Sequence, residues 1–318
     1  MLNQDDLRRI GPQIHTEPAL LRRLRFHQSW YRSEVLGLTE FGSTPAPGFR
    51  PLGSILSLEA ADKGLNFVSP AALEAYRDRR VLGWGLDPVR CTRYLTSSQA
   101  FTLNLYGPLT SDAPWLARAL GMVLGQSLES VVNRAGLEYA PRLPSLHLND
   151  KTRIDMYFEL GSHAGPIGLA VETKYGDRFS NRFLDISRRE RYSVLNDRWG
   201  IWDTSAKEYG TRRVEQLARV HALATSKFRQ SHGTNSQLLL IHHSKDEQAR
   251  IVADSYRATL NDPALLTVTD AESFLQVMNA TARDDDQREL VRRLKERYTD
   301  LHLSEEHWEL SRSKPPQN

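Results

Sequence analysis

The chain has a single cysteine, Cys91, in 318 residues. That excludes an intramolecular disulfide framework and any zinc site built on several cysteines, and it fits a reducing compartment. No apolar run is long enough to cross a bilayer, and the start lacks the charged, apolar and small-residue succession of a secretory leader. The expected setting is therefore the cytoplasm, with no membrane partner. Charge of one sign is also scarce: 42 Lys and Arg against 39 Asp and Glu leave a formal net charge of only +3. A uniformly basic surface is thus excluded, and any nucleic-acid contact must come from local clusters. The chain carries no Walker phosphate loop, so ATP-driven movement would need a partner subunit, and no GxSxG or HExxH, which argues against those hydrolases. A hydrophobic fraction of 40% is that of a globular chain able to bury a sizeable core.

What is present is concentrated between Thr152 and Tyr175. In Ile154-Asp155-Met156-Tyr157-Phe158-Glu159-Leu160, apolar residues at 154, 156, 158 and 160 alternate with the others, which predicts a half-buried strand with Asp155 facing away from that row. After a turn-like Gly161 to Pro166, the run Ile167-Gly168-Leu169-Ala170-Val171 reads as a more deeply buried strand. Glu172 and Lys174 then leave the same face, because strand side chains repeat every second residue. In a hairpin, Asp155 and Glu172 can converge on one hard cation with Lys174 beside it. Oxygen donors suit Mg²⁺ or Mn²⁺, and such an ion with an adjacent ammonium is equipped for phosphodiester chemistry. The same residues also fit a surface hairpin with an ordinary same-face charge pair. Glu172-Thr173-Lys174 is the only acid-x-lysine triplet in the chain, and it ends the most strand-like run of the central region.

Two arginine-rich stretches could meet phosphate. One is Leu21-Arg22-Arg23-Leu24-Arg25 running into Trp30-Tyr31-Arg32; its plainer reading, arginines paired within the fold, is preferred. The other runs from Arg178 to Arg213 and includes Arg178, Arg182, Arg212 and Arg213, interleaved with Phe179, Phe183, Tyr192, Trp199, Trp202 and Tyr209. It follows Lys174 directly, so DNA contact is preferred there, against the alternative that its acids pair the arginines and its aromatics are core.

Asp155 followed by Glu172-Thr173-Lys174-Tyr175 resembles the core of the PD-(D/E)XK nuclease superfamily. Gln28-Ser29-Trp30-Tyr31-Arg32, Gly64-Leu65-Asn66-Phe67, and above all Ser97-Ser98-Gln99-Ala100-Phe101 through Tyr106-Gly107-Pro108-Leu109 are similar to a bacterial restriction-endonuclease-like branch of it, as is the segment Gln216 to Ala224. The resemblance covers residues 20 to 245; one departure is Ile154 where the pattern has Pro before the Asp. It implies an α/β fold, a restriction-endonuclease-like core with a central mixed β-sheet flanked by helices, and helical additions at both ends. It further implies Asp155 and Glu172 as metal ligands, Lys174 as the catalytic lysine, and Mg²⁺, or Mn²⁺, as the ion. A further acid often comes from the helix before the Asp strand. That helix is expected to start near Ser111-Asp112, with Leu116, Leu120, Val123, Leu124, Leu128 and Val131 on one face. Glu129 is then its interior acid and the candidate outer ligand, or a solvated helix residue. Gln216 and Arg219, three apart on the following helix, could reach the site or a phosphate backbone, or simply form a polar face.

The expected organisation is a mainly helical region over 1–90, a nuclease-like core over 91–262, and a helical region with a disordered tail over 263–318. The expected activity is Mg²⁺-dependent DNA hydrolysis in restriction, defence or repair. The alternatives are a non-cleaving DNA-binding module of the same fold and a regulatory protein-interaction module. A double-strand cut from one site per chain would be easiest in a homodimer.

Overall fold

The structure, a computed structural model, describes residues 4–45, 47–131, 136–179, 183–232 and 236–313. In chain order come α1 (Gln4–Ile10), α2 (Ala19–Trp30), α3 (Leu58–Asp62), α4 (Pro70–Val81), α5 (Pro88–Arg93), α6 (Ser98–Ser111) and α7 (Ala113–Leu124), then strands β1 (Leu128–Val131), β2 (Gly136–Tyr139), β3 (Ile154–Ser162) and β4 (Gly165–Lys174). The second half is α8 (Glu190–Trp199), α9 (Glu215–His232), β5 (Ser236–His242), α10 (Glu247–Arg257), β6 (Leu266–Asp270), α11 (Ala271–Thr281), α12 (Asp285–Tyr298) and α13 (Glu305–Arg312).

The sheet is mixed. β3 and β4 form the antiparallel hairpin, in register from Met156 opposite Val171 to Ser162 opposite Gly165. β5 joins β4 in parallel, with Glu172 beside Leu240 and Lys174 beside His242, and β6 continues in parallel on β5. β1 and β2 share the outer edge of β3: β1 pairs its far end at Leu160 to Ser162, and β2 pairs its start, with Tyr139 opposite Ile154. Alternation sorts the sheet into two faces. Met156, Phe158, Leu160, Leu169, Val171, Leu239 and Ile241 pack with α6, α7, α11 and α12, in a cluster that also takes Leu24, Val68 and Tyr298. Tyr157, Ala170, Leu238 and Leu240 pack with α8, α9 and α10 on the other side. A central sheet with helices on both faces is the architecture the sequence implied.

Some expectations are corrected. The helix before β3 starts where expected, with the Asp112 carboxylate accepting the Trp115 N–H, but it stops at Gly125, which is left-handed at φ 63°. Leu128 to Val131 therefore form a strand rather than a last helical turn, and Glu129 lies on β1; its side chain lies outside the described residues. The apolar row of β3 also breaks at its start, because Ile154 joins the face of Tyr157 while Met156 joins the other. The stretch after Arg178 is not an open loop throughout: it holds α8, and its Tyr192 and Trp202 are buried. Arg182 lies outside the described residues. In α2 two of the three arginines are paired within the fold: Arg25 meets Glu17 at 2.7 Å and Arg23 meets Glu305 at 2.9 Å.

Candidate active site

The β3–β4 ladder ends at Met156 opposite Val171, and the site lies at the fork beyond. There the strands separate and the Asp155 carboxylate takes over from the backbone ladder. Its Oδ2 accepts the Thr173 backbone N–H at 2.8 Å and the Thr173 hydroxyl at 2.9 Å. Thr173 is in turn hydrogen-bonded to Thr102 of α6, so Asp155 is fixed from two elements. On β4, Glu172 is 2% exposed; its Oε1 receives the Lys174 ammonium at 2.7 Å and the Gln216 side-chain amide of α9 at 2.5 Å. Its other oxygen, Oε2, is buried without a hydrogen-bond partner. The Lys174 ammonium also lies over the Phe179 ring, 4.8 Å from its centroid.

The electrostatics follow from this crowding. Burial, reinforced by the charge of Asp155, raises the Glu172 carboxyl to about 7, against the pull of Lys174. Burial likewise raises Asp155, while Lys174 and the Thr173 donors oppose it. Burial alone would lower Lys174, but Glu172 and Asp155 outweigh it and the ammonium is held above its ordinary range. Lys174 is thus a fixed positive charge at the floor of the site.

A cleft of ≈ 670 Å³ opens over Asp155, Glu172 and Lys174, with Arg153, Arg178 and Gln216 also on its walls. Its third acid was not expected. Glu138 of β2 lines the cleft, 7% exposed, and its carboxyl accepts the Gln99 amide at 2.7 Å. Burial first, then Asp155, raises it above the usual carboxylate range. Its backbone is left-handed, φ 46°, a conformation a non-glycine residue rarely adopts; Arg79 clamps the segment by binding the Leu137 and Glu138 carbonyls. A fourth acid, Asp177, accepts the Ser98 backbone N–H at 3.2 Å and meets Arg90 at 3.3 Å. The distinctive Ser-Ser-Gln block therefore caps α6 through Ser97 and ties Asp177 and Glu138 to the cleft.

Other expected residues fall elsewhere. Glu129, on β1 opposite the Gly161 end of β3, is six residues along the strand from Asp155, about 20 Å at strand spacing. The outer-ligand assignment is corrected accordingly: the acid beside Asp155 is Glu138. Gln216 reaches Glu172, but Arg219 does not reach the site. Its guanidinium is bound through Nε to Asp150 at 2.7 Å and through Nη1 to Glu215 at 2.6 Å, because those two buried carboxylates demand a partner. Arg178 lies on the cleft wall and, with Arg212 and Arg213, lines an adjoining groove of ≈ 1000 Å³ that also shares Asp177. Arg213 is shared with Glu208 at 3.5 Å.

The donor set fits a hard divalent ion. Asp155 and Glu172 supply oxygens from adjacent strands, and the buried, unpartnered Oε2 of Glu172 is an acceptor in need of a cation. Among the described residues no three His, Cys, Asp or Glu side chains form a preformed metal cage. Mg²⁺ commonly works with one or two carboxylates, completed by water and phosphate.

Comparison with known proteins agrees with this geometry. No curated protein and no solved structure matches the sequence. The profile of the PD-(D/E)XK nuclease superfamily matches residues 15–300, which include every element that builds the cleft. On that match the chain belongs to the PD-(D/E)XK nuclease superfamily.

Proposed function

We propose that the protein is a metal-dependent deoxyribonuclease that hydrolyses DNA phosphodiester bonds at the fork of β3 and β4. The observation that carries this reading is the convergence of Asp155, Glu172 and Lys174 on one cleft, with a Glu172 oxygen left unpartnered. Asp155 and Glu172 would hold Mg²⁺ or Mn²⁺, with Glu138 as a third acid at its edge. When bound, the ion supplies Lewis-acid polarisation of the phosphodiester. Asp155 is kept in place by Thr173 and Glu172 by Gln216, so neither carboxylate needs reorganising.

Lys174 contributes charge. Held protonated by the two carboxylates, it orients the attacking water and stabilises the negative charge that develops on the phosphate oxygens. Arg178, Arg212 and Arg213 line the path away from the cleft and position the strand through its phosphates. The same proposal takes the setting to be the cytoplasm, in keeping with a single cysteine. Among the described residues no helix is long and apolar enough to cross a membrane.

The test is cleavage of linear, supercoiled and single-stranded DNA with Mg²⁺, Mn²⁺ or EDTA. Cutting that requires the ion supports the reading and ranks the substrates. Salt-sensitive DNA binding without cutting would instead favour a non-cleaving module, and absence of DNA binding a protein-interaction module.

A further inference from the structure

On the face of the sheet away from α6 and α7, an open cavity of ≈ 620 Å³ lies between α8, the last turns of α9 and the segment 145–148. Its walls carry three arginines and one acid, the exposed Glu190. Arg191 is occupied within the fold, donating to the Ser145 carbonyl at 2.9 Å and the His147 carbonyl at 3.3 Å. Arg198 and Arg229 are not: among the described residues neither guanidinium forms an ion pair or a hydrogen bond, with Glu190 or with any other group. Both instead lie over the Trp199 ring, Arg229 at 3.6 Å from its centroid and Arg198 at 4.8 Å. The Arg229 Nε is enclosed by protein, so its charge reaches the cavity through the two terminal nitrogens. Burial first, then the charge of Arg198, lowers Arg229 to about 10, which is the mark of two like charges held together without a counter-ion.

The segment 147–153 joins this cavity to the active-site cleft. His147 is hydrogen-bonded to Ser226 at 3.1 Å, Asp150 is neutralised by Arg219, and Arg153 stands on the cleft wall. Between them, exposed Lys151 lines a smaller cavity that shares Arg153 with the cleft. Cations therefore continue from the active site to Arg198 and Arg229, and none of them belongs to the groove of Arg178, Arg212 and Arg213. Arg229 is thirteen positions beyond Gln216 on α9, about 20 Å at 1.5 Å per residue.

We propose that Arg198 and Arg229 together hold one backbone phosphate of the bound DNA, about 20 Å from the bond that is cut. The inference rests on the nuclease reading for the presence of DNA over Asp155, Glu172 and Lys174. A planar guanidinium matches the oxygens of a phosphate, and Trp199 keeps both forks in place before the anion arrives. A phosphate between them supplies the missing negative charge through charge-assisted hydrogen bonds. At about 3.4 Å per nucleotide of one strand, about 20 Å is six base pairs, so the substrate is a duplex that extends at least that far to one side of the cut. The contact reads no sequence; it fixes the position of the duplex on the protein.

The test is cleavage, in Mg²⁺ or Mn²⁺, of duplexes of about 30 base pairs that each carry one neutral methylphosphonate linkage at a different position, with the cut bonds mapped at nucleotide resolution. In wild type, a bond is cut about tenfold more slowly when the neutral linkage lies about six nucleotides to one side of it, the loss expected for one hydrogen-bonded contact to a charged group. In the double variant Arg198→Ala, Arg229→Ala that gap disappears, and the unmodified duplex is itself cut about tenfold more slowly. Arg198→Glu, at an exposed position, carries the same test if loss of Arg229 unfolds the protein. The proposal is overturned if wild type cuts with no such gap, or if the gap persists in the variants. Calorimetry with inorganic phosphate separates the sources of the anion: binding that the double variant loses, without a gap in cleavage, makes this a site for a free anion and overturns the DNA contact alone. Wild type that cuts none of the duplexes sinks the nuclease reading, and with it a contact defined by its distance from the cut.

Discussion

Replacing Arg219 by Ala separates the skeleton of the site from its chemistry. The Arg219 side chain is 12% exposed, and it neutralises Asp150 and Glu215, whose side chains are 3% and 1% exposed. Tyr192 also bonds Asp150, but one hydroxyl does not replace a guanidinium. Removing the cation leaves two buried carboxylates uncompensated, a loss of about 3–5 kcal/mol for breaking a buried pair. At roughly 2.1 cal/mol/K of unfolding entropy per residue over 318 residues, that lowers Tm by about 4–8 °C. The pH dependence has a definite sign. Asp150, although raised by burial, is held below its ordinary 3.8 by Arg219 and Tyr192. Its contribution is therefore present above that value and lost as pH falls through the depressed folded value, so the gap between wild type and variant narrows in acid. The assay is circular-dichroism melting at pH 7.5 and below 4, with cleavage measured at 25 °C where both proteins stay folded. Cleavage should remain within about threefold of wild type, and the triple change Asp150→Asn, Glu215→Gln, Arg219→Met should restore most of the lost stability. An Arg219→Ala protein with unchanged Tm and abolished cutting would refute the reasoning and make Arg219 a substrate contact.

In metal-free protein the rise of Glu172 from 4.5 to about 7, at about 1.4 kcal/mol per tenfold, withdraws up to about 3 kcal/mol of stability as pH rises from 5 to 8. Urea titrations should show that slope in wild type and its flattening in Glu172→Gln; a parallel slope in both contradicts the assignment. Gly168→Ala places a Cβ 2.4 Å from the Phe228 ring, which is fully buried, and should cost about 1–3 kcal/mol in thermal melts. Glu129→Gln should cut DNA at a rate within about twofold of wild type, whereas Glu138→Gln should slow cutting about tenfold or more and weaken Mn²⁺ binding in calorimetry, a reversal of this order restoring Glu129 to the site.

The hairpin was legible because β3 and β4 are largely apolar, buried strands in which the few charged residues, Asp155, Glu159, Glu172 and Lys174, stand out. Gln216 was legible from its helix, but Arg219 on the same side of that helix was misread: spacing places two residues on one face without saying which buried carboxylates wait there. Glu138 carried no signal, since β2 is four residues long and pairs only with the start of β3. Gln99 stood in the most distinctive block of the chain, yet its task, holding Glu138, needs a partner 39 positions away. β6 was also hidden: Leu266-Thr267-Val268-Thr269 alternates, but the strand is only five residues long and runs straight into α11, so two apolar residues are all the signal it offers. Glu129 was misplaced by one residue type, the left-handed Gly125 that ends α7.

The most direct measurement is single-turnover cleavage of the best DNA substrate in Mg²⁺ by wild type, Asp155→Ala and Lys174→Ala, with DNA affinity measured alongside in EDTA. The account predicts cutting in wild type that EDTA abolishes, a loss of about a hundredfold or more in each variant, as for removal of a transition-state charge contact, and affinities within a few fold of one another. Variants that cut as fast as wild type would contradict it, because Asp155 and Lys174 would then not form the active site.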